Sequence, residues 1–105
     1  MAETTKTVSE ALLPALVNAI REEGYEIVFD LQFVRLIKMQ EVKSSNISSI
    51  GYDYLGKLLF VRFIGSGTYR YEDCSKEEFD NLLKAESKGS YFAKSIKPTK
   101  KCSKL

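Results

Sequence analysis

The chain has 105 residues, of which 44% are apolar and 29% are charged, and its formal net charge is +2. These totals describe a single small globular domain. No apolar run of about 18 residues occurs, so the sequence predicts no transmembrane helix and no membrane partner. The opening stretch "MAETTKTVSE" lacks the basic and apolar segments of a secretory signal, and we therefore expect a cytoplasmic protein.

Positive charge is concentrated at the C-terminal end of the sequence. Residues 84–105 carry seven lysines against one glutamate, a balance of +6, so residues 1–83 carry −4. A basic segment of this kind favours an anionic partner such as nucleic acid. A solvated terminus that only improves solubility would have the same composition.

The first predicted element is a helix over roughly residues 9–23. A capping-box pattern at residues 7–10 opens it, and Gly24 supplies a C-terminal stop. Apolar residues at helical spacing from Leu13 to Ile20 form one stripe that can be buried.

The next stretch, residues 25–42, is rich in β-branched and aromatic residues and alternates over part of its length. We predict one or two strands there, although no glycine or proline excludes a helix. The polar residues 43–46 then mark the one internal boundary that the sequence indicates.

Three strands are predicted in the second half, at residues 47–54, 57–64 and 68–72. The last two form a hairpin across the Gly65-Ser66-Gly67 turn.

Two helices follow this hairpin. A capping box at residues 75–78 opens the first, which ends near Glu86. A short final helix or turn over residues 87–97 is ended by Pro98, and residues 99–105 are predicted to form a disordered basic tail.

The hairpin register decides which side of the sheet the triplet Tyr69-Arg70-Tyr71 faces. With a three-residue turn, Phe63 lies opposite Tyr69, the tyrosines join the apolar face, and Arg62 and Arg70 share the other face. With a two-residue turn, the tyrosines instead join Arg62. The first register gathers apolar residues more completely, so we favour it and expect the following helix to pack on the tyrosine face.

The outer face of the hairpin is not fully polar, because Leu58, Phe60 and Ile64 interleave with the two arginines there. A partly apolar face of this kind is expected to pack against another part of the protein or against a second chain. We expect either the N-terminal segment or a second copy of the chain, in a homo-oligomer formed through the N-terminal helix and this face.

Residues 87–90, Ser-Lys-Gly-Ser, form a turn that opens the last helix. Its hydroxyls, backbone N–H groups and ammonium group suit an anion. The alternative is a simple corner between helices, in which Gly89 adopts a special backbone conformation.

Catalytic and metal chemistry have little support in the sequence. There is no histidine, which removes the commonest general base and transition-metal ligand. A thiol that precedes a helix, as Cys74 does, can be a nucleophile, but its neighbours are carboxylates, and we interpret it as structural. Those carboxylates favour helix-terminal charge over a cation site, and no disulfide with Cys102 is expected in a reducing compartment. The sequence thus predicts no catalytic residue, no metal and no cofactor.

Ordered motifs run through most of the second half. They are "SSNISSIGYD" at residues 44–53, "LLFVRF" at 58–63, the tyrosine–any–tyrosine motif at 69–71 and "EEFDNLLKAESKGSYFAKSIK" at 77–97, which contains "SKGSYF". In these motifs the chain resembles the KTSC domain family, named after the C-terminus of some lysyl-tRNA synthetases. The resemblance implies RNA binding, and a bacterial or phage protein that acts in the bacterial or infected-host cytoplasm.

We therefore expect an α+β fold with an N-terminal helix, a small antiparallel sheet of three to five strands, and two C-terminal helices packed on one face. Residues 1–43 form an extension, residues 44–98 form the KTSC-like domain, and residues 99–105 form the tail. The extension lies outside the resemblance and is free to carry a separate function.

The predicted function is non-catalytic binding of RNA or another nucleic acid through an arginine and lysine surface. One alternative is a protein that sequesters a nucleotide or another anionic small ligand, and the other is a protein-interaction or oligomerisation module. The predicted binding residues are Arg62, Tyr69, Arg70, Tyr71, Ser87, Lys88, Ser90, Tyr91, Lys94 and Lys97.

Overall fold

A computed structural model describes residues 14–29 and 34–105. The chain divides into two compact units, one that ends at Ile37 and a second that begins at Lys38. Each unit combines helix with antiparallel sheet, so the predicted α+β class is confirmed. Within the described ranges, no helix is long and apolar enough to span a membrane.

The first unit contains a helix and a two-stranded sheet. Residues 14–22 are helical (α1), while the predicted capping box at residues 7–10 lies outside the described residues. The helix ends at the predicted stop, where Gly24 has a φ of 93°, a value that glycine adopts without strain. The strands are β1 (Tyr25–Phe29) and β2 (Val34–Lys38), so the prediction of strand over helix is confirmed, although residues 25–42 contain a third short strand in addition to the one or two predicted.

The second unit is built on a five-stranded antiparallel sheet whose strands are adjacent in chain order. Its strands are β3 (Gln40–Glu41), β4 (Ile47–Asp53), β5 (Leu58–Phe63), β6 (Gly67–Tyr71) and β7 (Cys102–Lys104). Because Gln40 pairs with Ile50, β3 belongs to this sheet. The division of the chain therefore precedes the boundary that the sequence indicated after residue 43.

The prediction of a disordered tail at residues 99–105 is wrong. Strand β7 pairs with β6 along an edge of the sheet, with Lys104 opposite Tyr69 and Cys102 opposite Tyr71. The Lys100 ammonium group fixes the chain just before β7, because it donates hydrogen bonds to the Glu78 carboxylate (2.8 Å) and to the carbonyl of Asp73 (2.7 Å). These partners are more than 20 residues away in sequence, so the local composition did not reveal them.

The two predicted C-terminal helices are present. They are α2 (Lys76–Lys84) and α3 (Lys88–Tyr91), and α3 continues into a π-helical turn at Phe92–Ile96. The predicted capping box at α2 is confirmed in both directions. The Glu78 N–H donates to the Ser75 hydroxyl at 3.1 Å, and the Ser75 N–H donates to the Glu78 carboxylate at 3.0 Å.

Replacing Ser75 with alanine is expected to lower the free energy of unfolding by about 1 kcal/mol, because the Glu78 N–H loses its acceptor. Urea unfolding followed by circular dichroism would measure this loss. The matched control is Ser45→Ala, an exposed serine outside any helix, which should change the free energy by less than about 0.5 kcal/mol. Equal effects of the two substitutions would contradict the capping assignment.

The hairpin register differs from the predicted one by two residues. Phe63 lies opposite Gly67 and Arg62 opposite Thr68, whereas the sequence analysis placed Phe63 opposite Tyr69. The turn consists of Ile64, Gly65 and Ser66, and both Gly65 and Gly67, the first residue of β6, have positive φ angles, of 79° and 86°. A shift of two residues keeps every side chain on its face, because side chains along a strand alternate with a period of two.

The predicted face of the tyrosines is accordingly confirmed. Tyr71 and the half-buried Tyr69 belong to the core cluster on the side of the sheet that α2 and the π-helical turn cover. The buried members of this cluster are Ile47, Ile50, Tyr52, Leu59, Val61, Tyr71, Cys74, Phe79, Leu82, Phe92 and Ile96. Both C-terminal helices therefore supply residues to one core on one face, as the sequence predicted.

Candidate functional site

A cleft of about 350 Å³ opens on the helix-covered side of the sheet in the second unit. One wall comes from strands β5, β6 and β7, and the other comes from α3 and the π-helical turn. Its lining residues are Asn46, Phe63, Ser66, Tyr69, Tyr71, Gly89, Phe92, Ala93, Lys97 and Cys102.

Aromatic rings form the floor of the cleft. The ring of Phe63 meets those of Tyr69 and Phe92 edge-to-face at 5.6 and 5.4 Å between centroids, and Tyr71 meets Phe92 in the same way at 5.0 Å. These are favourable aromatic geometries that hold the rings in place. Tyr71 and Phe92 are buried, whereas Phe63 and Tyr69 are half-buried and keep part of each ring open to a ligand.

Two lysines contribute positive charge to the cleft. Lys97 lines it directly, and the Lys104 ammonium group lies 5.8 Å from the centre of the Tyr69 ring, within the range of a cation–π contact. The described lining residues include no carboxylate. The arrangement therefore favours a ligand that combines a flat apolar group with negative charge.

The π-helical turn places Lys97 at the cleft. The Lys97 N–H donates to the Phe92 carbonyl at 2.9 Å, a hydrogen bond that spans five residues instead of four. Phe92 and Ile96 of this turn are buried, while Ala93 and Lys97 face the cleft. Turns of this kind occur frequently at functional sites.

Asn46 stands at the rim opposite α3, and Gly89 makes room for it. A Cβ atom on Gly89 would lie 2.7 Å from the Asn46 Oδ1 atom, which is closer than real Cβ contacts allow. Gly89 has ordinary helical geometry within α3 and is not among the glycines with positive φ. The special backbone conformation that the sequence alternative gave to Gly89 is therefore wrong, and its lack of a side chain instead lets α3 approach the Asn46 amide closely.

The structure brings three of the predicted binding residues to the cleft, namely Tyr69, Tyr71 and Lys97. Lys94 is exposed on the π-helical turn, and Tyr91 is half-buried against the core.

The predicted anion turn uses its polar groups for helix capping. The Ser87 hydroxyl accepts a hydrogen bond from the Ser90 N–H at 3.3 Å. The Lys88 ammonium group donates to the carbonyl of Ala85, the C-terminal cap of α2, at 3.1 Å. This is the geometry of a corner between two helices, which the sequence analysis had kept as its alternative.

The predicted arginine pair lies on the opposite face of the sheet from the cleft. The Arg62 Nε–H donates to the Thr68 hydroxyl at 3.0 Å, so this guanidinium is tied to the neighbouring strand. The Nε atom of Arg70 is buried and meets no hydrogen-bond acceptor among the described residues. The arginines and the tyrosines therefore cannot contact one ligand group together.

Burial keeps two ionisable groups of the core, Tyr71 and Cys74, neutral. It raises the pKa of Tyr71 to about 12, with smaller contributions from Cys102 and Tyr69. Burial also raises the pKa of the Cys74 thiol to about 11, and the Glu78 carboxylate adds to the shift. Cys74 is therefore a protonated core residue at neutral pH, as the structural interpretation expected. Among residues 14–29 and 34–105, no cluster of three histidine, cysteine or acidic residues is arranged to hold a metal ion.

Sequence reasoning missed several residues of the cleft. Phe63 could have been found, because the favoured register already placed it on the tyrosine face. Cys102 could not, because the tail was predicted to be disordered. The remaining missed residues are Asn46, Ser66, Gly89, Phe92 and Ala93.

Comparisons with known proteins centre on the second unit. A sequence profile of the KTSC domain matches residues 43–99, which leaves out the first unit and β7. A protein from Tsukamurella paurometabola is 45% identical over 60 residues, which cover 57% of this chain and 90% of the relative. A protein from Stutzerimonas stutzeri is 37% identical over 62 residues, or 59% of this chain and 87% of the relative. The crystal structure of a KTSC domain protein from Yersinia pestis superposes with a TM-score of 0.65 at 38% identity and covers 66% of this chain and 97% of that protein.

Proposed function

Because the chain belongs to the KTSC domain family, we propose that its second unit is a non-catalytic domain that binds single-stranded RNA, with one base in the aromatic cleft. The observation that carries this proposal is the half-buried pair Phe63 and Tyr69 beside the Lys97 ammonium group. Single-stranded nucleic acids are bound by stacking of bases on aromatic side chains and by cations that follow the phosphates. A cytoplasmic location is part of the same proposal.

The distribution of charge supports a nucleic acid over a neutral ligand. The cleft lies in the part of the chain where lysines predominate, and the exposed Lys97 and Lys104 lie at it. On this proposal, Arg62 and Arg70 contribute only to the electrostatic potential on the face of the sheet opposite the cleft. The lysines of the cleft replace them as the main contacts to phosphate.

Replacing Lys97 with glutamine is expected to weaken RNA binding and to reduce its salt dependence. A phosphate contact to a single strand contributes about 0.7 to the slope of log K against log salt, and the variant should lose about that much. Fluorescence anisotropy with a labelled single strand of about eight nucleotides, titrated at several salt concentrations, measures both quantities.

The matched control is Lys84→Gln, which removes the same charge from the last turn of α2, outside the cleft lining. Its slope should stay close to that of the original protein. Binding that is absent at low salt, or that does not respond to salt, would rule out the proposal. Equal effects of the two substitutions on affinity and on the salt slope would rule out the cleft as the RNA-binding site.

A second candidate is a protein that binds a free nucleotide, and the size of the cleft favours it. A volume of about 350 Å³ lies at the lower end of the range for small-molecule pockets, which is about 300–1,000 Å³. Thermal denaturation with mononucleotides separates the two functions, because a ligand stabilises the folded state by an amount that grows with the logarithm of its concentration relative to its Kd. If a mononucleotide stabilises the protein as much as the RNA strand does at the same concentration, the rest of the strand adds nothing to binding, and the second candidate is favoured.

A further inference from the structure

We propose that Asn46 makes the cleft selective for bases that present a carbonyl group, such as uracil, over bases that present an amino group at the same position. This inference rests on the proposed function, since it concerns the edge of a base held in the cleft. Three observations carry it: the hydrogen bonds of Ser44, the close approach of Gly89, and the place of Asn46 at the cleft rim.

The hydrogen bonds of Ser44 fix the orientation of the Asn46 amide. The Ser44 hydroxyl accepts hydrogen bonds from the backbone N–H groups of Asn46 (3.4 Å) and Ile47 (3.3 Å). A hydroxyl has two lone pairs and one proton, so its remaining capacity is as a donor. The Asn46 side-chain atom 3.1 Å away must therefore be the acceptor, which is the carbonyl oxygen Oδ1.

As a result, the amide oxygen of Asn46 is not available to accept a hydrogen bond from the ligand. One of its lone pairs is used by Ser44, and α3 packs beside it so closely that Gly89 has no space for a Cβ atom. The Nδ2 group is different, because it has no hydrogen-bond acceptor within the described part of the chain. The Asn46 backbone is also held, since its carbonyl accepts from the Ile64 N–H at 2.9 Å. The rim thus carries an N–H donor on an amide whose oxygen is held by Ser44.

An N–H donor at this position distinguishes bases by their exocyclic groups. Uracil and hypoxanthine carry a carbonyl oxygen where cytosine and adenine carry an amino group. An N–H donor binds the carbonyl but meets another donor in the amino base, which leaves both groups without a partner. A polar group that loses its partner at a binding site reduces affinity by roughly tenfold, and we expect a preference of about fivefold to tenfold.

The experiment compares two pairs of single strands of about eight nucleotides that differ in this group and in the hydrogen on the adjacent ring nitrogen. One pair is oligouridine and oligocytidine, and the other is oligoinosine and oligoadenosine. The protein is expected to prefer the first member of each pair. Asn46→Asp keeps the acceptor for Ser44 but turns the donor into an acceptor, so its preference should reverse toward the amino bases.

Two further variants complete the test. Asn81→Asp makes the same change of charge on an exposed position of α2 and should keep the original preference, even if the added charge weakens all binding. Gly89→Ala leaves the Asn46 side chain unchanged chemically but forces its amide to move, so the preference should disappear while the circular dichroism spectrum of the folded protein stays the same.

The outcomes separate this inference from the proposed function. If none of the four strands binds, the proposed function fails, and the inference falls with it. If the strands bind without a preference within each pair, the selectivity inference is overturned while RNA binding stands. A preference that persists unchanged in Asn46→Asp also overturns the assignment to Asn46.

Discussion

The second unit is expected to lose roughly 5 kcal/mol of stability as the pH rises from about 9 to about 12, through Tyr71 and Cys74. The folded protein raises the Tyr71 pKa from 10.0 to about 12 and the Cys74 pKa from 9.0 to about 11. Each group therefore binds its proton more tightly in the folded state than in the unfolded state. The stabilisation from each group is fully present below the pKa that the group has in the unfolded state. It is lost as the pH rises through the pKa that the group has in the folded state.

Burial is the main cause of both shifts, which makes the effect large. Tyr71 is 4% exposed and Cys74 is fully buried in the same core. Ionising either group places a negative charge in apolar surroundings, where it is poorly solvated. For Cys74, the Glu78 carboxylate adds repulsion, while Lys100 opposes the shift by a smaller amount.

Urea unfolding at a series of alkaline pH values would measure the loss. The chain contains no tryptophan, and ionisation changes tyrosine emission, so far-ultraviolet circular dichroism is the better signal. Tyr71→Phe and Cys74→Ala should each flatten a large part of the pH dependence, because each removes one ionisable proton, while the pKa of Tyr52, which burial also raises, supplies a further part. Tyr54→Phe is the control, since Tyr54 is 61% exposed and should change the profile far less, through its contact with Tyr52 alone. A stability that is flat across this range would contradict the burial of both groups.

Features set by neighbouring residues could be predicted from the sequence. The capping box of α2 depends on two residues three apart, and the stop after α1 depends on Gly24 alone. The face of Tyr69 and Tyr71 was also predictable, because an error of two residues in the register does not change the face of a strand.

The features that escaped prediction depend on contacts between distant parts of the chain. Gly89 reads as a turn residue in the sequence, and only its distance to Asn46, which lies more than 40 residues earlier, explains it. The cleft likewise needs β5, β6, β7 and the π-helical turn to be placed together. The arginine pair looked functional because Arg62 and Arg70 share a face, but that face is the one away from the aromatic cleft.

Removing residues 99–105 is expected to lower the free energy of unfolding of the second unit by about 2–3 kcal/mol. The truncation deletes β7 and the Lys100 ammonium group, whose hydrogen bonds to a charged partner contribute about 1.5–3 kcal/mol. It also leaves the Glu72 N–H without the Lys101 carbonyl, at 2.9 Å in the intact chain. A disordered tail would instead contribute less than about 0.5 kcal/mol. Chemical denaturation of the full and truncated chains decides between these values.

Neighbouring lysines give the matched test of this attachment. Lys100→Gln should reproduce much of the loss, whereas Lys101→Gln, on an exposed side chain, should change stability by less than about 0.5 kcal/mol.

The pH dependence of the Lys100→Gln effect provides a second check. Burial would raise the Glu78 pKa, but hydrogen bonds from Lys100 and Ser75 lower it overall from 4.5. The stabilisation is therefore present above pH 4.5 and is lost as the pH falls through the folded pKa, so the effect of Lys100→Gln should shrink in acid. An effect that is independent of pH would mean that Lys100 holds β7 through the Asp73 carbonyl and not through Glu78.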